Sequence, residues 1–324
     1  MKQYDSKAID ESALSGRTVA IIGYGSQGRS QALNLRDSGI ALVVGVRDPR
    51  SESARLAEAD GIETMPLLCA ARQADLIMLL TPDETHAEIY SELSVGADLS
   101  AKAVGFAHGY AITYGLIEAD SNVDIILISP KGIGSAVRSR YLEGSGVAAL
   151  VAVHQDASGT AEALSLAYAA GIGSNRVAIF ETSFEEETVA DLFSEQAVIV
   201  GGMTELIKAG FDSMTKAGIA PEIAYYECVV EAKLILDMIV EKGFAGMFED
   251  ISNTAEYGAK VAGSRIITYD VRREMDALLQ EIKEGDFARI WNKEVAEGTR
   301  SLLARRKEWM ESNIDATALR MRKL

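Results

Sequence analysis

Short apolar runs alternate with helix-length segments through the first half of this chain, and the alternation then stops. Residues 18–22, 42–46, 76–80, 104–107, 125–128, 147–153 and 177–180 read as strands, with 27–37 and 53–59 as helices between them. Strands spaced by helices pack as crossover units, so the pattern predicts an α/β domain of Rossmann type with a parallel, doubly wound sheet. From residue 184 onward helical periodicity replaces the strand signal. It covers 186–217 with a break expected at Gly201-Gly202, 223–242 with Pro221 in the first turn, 272–284, 286–297 and 300–311. We therefore expect residues 1–183 to form the sheet domain and 184–324 an all-helical one. Neither an internal repeat nor a low-complexity tract interrupts the chain.

At 324 residues the chain has room for two such domains. Lysine and arginine number 32 against 48 acids, a formal charge of −16, which disfavours nucleic acid and anionic membrane as partners. No apolar run reaches the ~18–20 residues that span a bilayer. The polar first residues, 1–11, suggest no secretory signal. Cys69 and Cys228 form no CxxC pair and suit a reducing cytoplasm. His86, His108 and His154 are too few for a histidine-rich metal centre.

Gly23-Tyr24-Gly25-Ser26-Gln27-Gly28 is a G-x-G-x-x-G loop between a strand and a helix. The first glycine permits the turn, the second lets backbone approach a pyrophosphate, and the third lets helix pack on strand; the helix N-terminus adds donors and partial positive charge. The end of the next strand discriminates between cofactors. An acid there suits the ribose hydroxyls of NAD, whereas Arg47, Arg50, Ser51 and Ser53 offer charges and hydroxyls to a 2′-phosphate. We expect NADPH; Asp48 and Glu52 oppose that choice and leave NADH open.

Two acid pairs stand in the helical half. Asp191 and Glu195 are spaced i, i+4, and so are Glu227 and Glu231. The second pair interrupts an otherwise apolar stripe of Ile223, Val230, Leu234 and Met238. Like charges on such a face call for a counter-charge, and carboxylate oxygens suit hard divalent cations, Mg²⁺ above all. A solvated helix face is the simpler alternative.

Eight segments in order carry a family resemblance. They are the glycine loop, Leu80-Thr81-Pro82-Asp83-Glu84, Phe106-Ala107-His108-Gly109, Pro130-Lys131-Gly132, the stretch 153–159, Asp191-Leu192-Phe193-Ser194-Glu195-Gln196, the stretch 221–228, and the stretch 251–258. The chain resembles the short, class I ketol-acid reductoisomerases over nearly its whole length. The resemblance implies an NADPH-binding N-terminal domain, a knotted helical C-terminal domain, and a homodimer with a shared active site that can assemble further. It implies that Asp191, Glu195, Glu227 and Glu231 hold two Mg²⁺ ions, one pair coming from the partner subunit. It further implies His108, Lys131 and Glu231 as catalytic residues and Ser252 as a substrate contact. Pro82, Asp83, Glu84, Thr85 and Gly134 match segments lining the cofactor.

The implied reaction is alkyl migration in 2-acetolactate or 2-aceto-2-hydroxybutyrate, then reduction by NADPH, a step in valine and isoleucine biosynthesis. Departures stand at Arg29, Ser135, Ala136, Ala111 and Thr113. They leave open a paralogous NAD(P)H-dependent reductase or isomerase acting on a related keto or hydroxy acid in a specialised pathway. From the residues alone, His108 reads equally as a satisfied core histidine and Ser252 as a helix cap.

Overall fold

The computed structural model describes residues 1–322. Its packing divides the chain into two units, Met1–Thr188 and everything from Val189 onward.

The first unit is built on nine strands: β1 Gln3–Tyr4, β2 Thr18–Ile22, β3 Ala41–Val46, β4 Thr64–Pro66, β5 Leu76–Leu79, β6 Ala103–Phe106, β7 Asp124–Pro130, β8 Ala149–Gln155 and β9 Ile179–Glu181. They form one sheet in the order β1-β9-β8-β7-β6-β5-β2-β3-β4. Strands β2 to β7 are mutually parallel. The expectation of a wholly parallel sheet is corrected at one side: β8 runs antiparallel to β7, with a register irregularity between Ile125 and Ile126, and β1 runs antiparallel to β9. The segment between β7 and β8 holds α6, the helix Gly134–Leu142, and Lys131 N–H donates to the Ala148 carbonyl just beyond the paired ends, so β8 starts beside the end of β7 and runs back along it.

The remaining helices of this unit are α1 Ser26–Asp37, α2 Glu52–Ala59, α3 Leu67–Gln73, α4 His86–Gly96, α5 Tyr110–Thr113 and α7 Ala161–Gly171, and α8 Phe184–Phe193 starts within it. They cover both faces of the sheet, which is why its strands are apolar at consecutive positions. Val19 and Ile21 join Leu35, Leu164 and Tyr168 in one buried cluster; Ala20 and Ile22 join Ala70, Leu93 and Phe184 in the other. The strand order reverses between β2 and β5, and ligands of open α/β sheets bind in the crevice beyond strand C-termini at such a reversal.

The second unit is helical throughout among the described residues: α9 Gly201–Lys216, α10 Pro221–Tyr225, α11 Glu231–Asp250, α12 Asn253–Ile266, α13 Tyr269–Lys283, α14 Asp286–Ala296, α15 Arg300–Met310 and α16 Asn313–Met321. Over 186–217 the helix is interrupted, as a break at Gly201-Gly202 would have it, but earlier and differently. A π-helical turn, Ser194–Ile199, follows α8, and Val200 (φ −115°, ψ −66°) separates it from α9, one residue before the expected glycine break. The helix expected over 223–242 is likewise three pieces: α10, a π-helical turn Tyr226–Val230, and α11, itself kinked at Gly243 (φ +70°). No helix among the described residues is long and apolar enough to cross a membrane.

Candidate active site

The glycine loop joins β2 to α1. Gly23 has φ +99°, and a Cβ there would stand 2.7 Å from the Leu80 carbonyl carbon, so the turn and the close approach of the β5 loop both need glycine. A Cβ on Gly28 would fall 1.9 Å from the Gly23 carbonyl oxygen, whereas one on Gly25 would meet nothing within 4 Å. The crowded positions close the turn, and the open one faces the space that a pyrophosphate needs. Gly25 caps α1 without a side-chain bond, leaving the helix N-terminus available to an anion.

One cavity of about 310 Å³ lies at this loop, lined among others by Gly23, Tyr24, Arg47, Asp48, Ser51, Ser53, Thr81, Pro82 and Thr85. Ser26, Gln27, Arg50, Asp83, Glu84 and Gly134 are not among its walls. Gln27 donates to the Gly132 carbonyl at 2.9 Å, and a Cβ on Gly134 would lie 2.1 Å from the Ser26 carbonyl oxygen. These two therefore seat α6 against the glycine loop. Tyr24 is buried and donates to Asp60 at 2.9 Å, which Arg29 also engages at 2.7 and 2.9 Å. The Arg29 bonds chiefly, against the opposing effect of burial, hold the Asp60 carboxyl below its usual range. The departure at Arg29 thus acts as an anchor for the loop.

At the second strand's end Arg47 lies 3.0 Å from Glu88 and 3.3 Å from Glu92. Arg50 is 89% exposed and turned onto Asp48 at 3.2 Å. The Ser51 hydroxyl accepts from Ala54 N–H as the cap of α2. Each group expected to meet a 2′-phosphate except Ser53 thus has an intramolecular role. Pro82 precedes a 3₁₀ turn, Asp83–Thr85, in which Thr85 donates to the Pro82 carbonyl at 2.7 Å. His86 is buried beneath it, with Nε2 2.9 Å from the Thr81 carbonyl, and burial lowers its pKa from 6.5 to about 4. Neutral, with Nε2–H donating, it fixes the loop.

A second constellation lies beyond the C-terminal ends of β6 and β7, and its centre is Glu187 of α8. This carboxylate has no exposed surface. Its Oε2 accepts from Gly109 N–H at 2.9 Å and lies 3.0 Å from His108 Nδ1. Its Oε1 accepts from Ser129 Oγ at 2.7 Å and from Lys131 Nζ at 3.0 Å. Burial alone would raise the Glu187 carboxyl; the bonds from His108 and Ser129 and the charge of Lys131 outweigh it and bring it down to about 2. An ionised carboxylate only accepts, which assigns the proton to His108 Nδ1. The predicted residues His108 and Lys131 are therefore brought together by a third that sequence reasoning passed over. Glu187 stands in the run Glu185-Glu186-Glu187, which reads as ordinary acidic residues of a helix first turn. The available signal was its spacing of four from Asp191.

The four remaining acids belong to the second unit. Asp191 is part-buried near the end of α8 and Glu195 lies in the π turn after it; Glu227 lies in the other π turn and Glu231 opens α11. Each pair thus straddles a junction between α and π geometry, a feature common at functional sites, and is offset from a plain i, i+4 face. The Tyr226–Val230 turn packs on α9, where a Cβ on Gly210 would lie 3.2 Å from Cys228 Sγ. Glu227 and Glu231 are exposed, with no hydrogen bond or ion pair among the described residues. Their apolar stripe is exposed too, Ile223 and Leu234 each by 56%. Ser252 caps α12, its hydroxyl accepting from Ala255 N–H at 3.2 Å.

Residues 13–178 match the family model described as acetohydroxy acid isomeroreductase, NADPH-binding domain, and residues 184–324 match ketol-acid reductoisomerase, C-terminal domain. Among solved structures, an NADH-preferring ketol-acid reductoisomerase from an uncultured archaeon is 39% identical, with a TM-score of 0.97 over 100% of this chain and 99% of that one. A semialdehyde dehydrogenase NAD-binding protein from Cupriavidus necator (17% identity, TM-score 0.64, 83% of this chain and 98% of that one) shares the fold. So does a pyrroline-5-carboxylate reductase from Coxiella burnetii (17%, TM-score 0.57, 83% and 98%). With both of its halves matched and a full-length relative at that identity, this chain belongs to the ketol-acid reductoisomerase family.

Proposed function

We propose that the chain is a Mg²⁺-dependent ketol-acid reductoisomerase. It moves the alkyl group of 2-acetolactate or 2-aceto-2-hydroxybutyrate and reduces the new ketone with NAD(P)H to the 2,3-dihydroxy acid, in valine and isoleucine biosynthesis in the cytoplasm. The observation that carries this reading is the Glu187 cluster, which gathers Lys131 and His108 at the same edge of the sheet as the dinucleotide crevice.

Asp191, Glu195, Glu227 and Glu231 would hold the metal: an all-carboxylate donor set suits Mg²⁺, and Glu227 and Glu231 have no hydrogen bond or ion pair among the described residues to give up. Bound there, two ions would lower the pKa of the substrate hydroxyl and stabilise the alkoxide. Lys131, charge-balanced by Glu187, offers positive charge to the substrate's oxygens. His108, with Nδ1 committed to Glu187, can take or return a proton at Nε2. Glu231 can carry a proton when it is not fully engaged with metal. Ser252 hydrogen-bonds the substrate carboxylate or an oxygen near it.

The exposed apolar stripe around Glu227 and Glu231 supports a homodimer in which a second copy covers it and completes the site; the knotted winding and any larger assembly belong to the same reading. The ties on Arg47, Arg50 and Ser51, and the NADH preference stated for the archaeal relative, support acceptance of NADH no weaker than that of NADPH. The test is nicotinamide oxidation with each ketol acid, with and without Mg²⁺. Turnover is expected only with metal; turnover undiminished by a chelator, or none with either acid, rejects the reading.

A further inference from the structure

Arg47, at the end of the second strand of the nucleotide fold, is engaged from across the cavity mouth by α4: Glu88 approaches its guanidinium at 3.0 Å and Glu92 at 3.3 Å. These acids are four residues apart and share a helix face, and Ile89, next to Glu88, lines the same cavity as Arg47. Asp48, also in the cavity wall, accepts from the backbone N–H and guanidinium of Arg50. Two arginines at this rim therefore meet three carboxylates, 2 − 3 = −1. NAD(H) and NADP(H) differ at this point alone, by a ribose hydroxyl against a phosphate of about −1.5 to −2 charge.

We propose that Glu88 and Glu92 determine cofactor choice. Resting on the reading of this cavity as the adenosine end of the cofactor site, they occupy Arg47 and set their own charge where a 2′-phosphate must approach. They select for NADH by repelling NADPH, and need no contact with NADH. A loop composition that reads as phosphate-binding is thus reversed by a helix 40 residues further on.

The test is equilibrium binding of NADH and NADPH to the full chain and to the double variants E88Q/E92Q and E88A/E92A. The ratio of the NADPH to the NADH dissociation constant should fall about tenfold in both variants, since each removes two nearby charges, and the fall should shrink at high salt. Adding Arg47→Ala to either double variant should return the ratio toward the wild-type value. A ratio within twofold of wild type in both variants, or equal changes for the two nucleotides, overturns the proposal. Wild-type protein that binds neither nucleotide overturns the cavity's reading and the proposal with it. Because binding is measured, absence of reductoisomerase turnover is a separate result.

Discussion

Glu187 Oε1 accepts from Lys131 Nζ at 3.0 Å while the carboxylate itself is sealed from solvent. Glu187→Gln keeps the shape and removes the charge that balances Lys131 and orients His108. We expect kcat to drop about 100-fold or more, as when a positioned proton-transfer group is lost. Steady-state rates with 2-acetolactate, alongside a melting curve to show the variant is folded, check this. A folded variant within threefold of wild-type kcat rejects it.

Two buried groups contribute to the acid side of the stability curve. His86 has its folded pKa lowered to about 4, so the folded state binds fewer protons than the unfolded one between pH 6.5 and 4. Its contribution is present above 6.5 and is lost as pH falls through 4. Glu187, lowered to about 2, acts in the same direction between 4.5 and 2. Urea denaturation from pH 7 to 4 should show a loss of about 3 kcal/mol from His86 as the unfolded chain takes up the proton that the folded one resists. In His86→Gln that slope should largely disappear.

Gly28→Ala forces a methyl group to within 1.9 Å of the Gly23 carbonyl oxygen unless the loop moves. Displacement of the glycine turn should weaken both NADH and NADPH by about tenfold or more, a loss of at least 1.4 kcal/mol. Gly25→Ala meets no protein atom and should fold normally, yet still impair binding because the methyl enters the pyrophosphate's space. Isothermal titration of each variant with each nucleotide separates these effects.

Ser252 has a visible structural job as the cap of α12. Ser252→Ala should cost about 1 kcal/mol. Ser252→Asp keeps a capping oxygen, so its thermal stability should stay near wild type while the KM for the ketol acid rises through repulsion of the substrate carboxylate. If KM stays unchanged in the Asp variant, Ser252 serves only as a cap.

Strands β2, β3 and β5 to β9 and the glycine loop were legible because local chemistry decides them: buried strands are apolar at most positions, and a positive φ at Gly23 admits little else; β1 and β4, two and three residues long, leave no such run. Reversal of β8 was not legible, since both directions bury the same side chains. The π turns at 194–199 and 226–230 contain no proline, and their hydrophobic spacing differs by only one residue from that of a plain helix. Composition marks Arg47 and Arg50 as candidate ligands of a 2′-phosphate; Arg47 lines the cavity, Arg50 does not, and the acids on α4 that engage Arg47 lie too far along the chain for local reasoning to pair them. Glu187 was hidden by its neighbours: three consecutive glutamates look alike in sequence, and only the helix phase turns one of them inward.

Helix α8 gives its first turns to the sheet before it leaves it: Phe184 packs against Phe106, Thr188 bonds Thr113 at 2.9 Å, and Glu187 receives Lys131. Anyone excising the nucleotide-binding half as an independent protein must therefore carry the cut past Thr188. A truncation made where the last strand ends would strip the counterion from an ammonium and an imidazole at once, and the fragment would misrepresent the electrostatics of the intact enzyme even if every strand were in place.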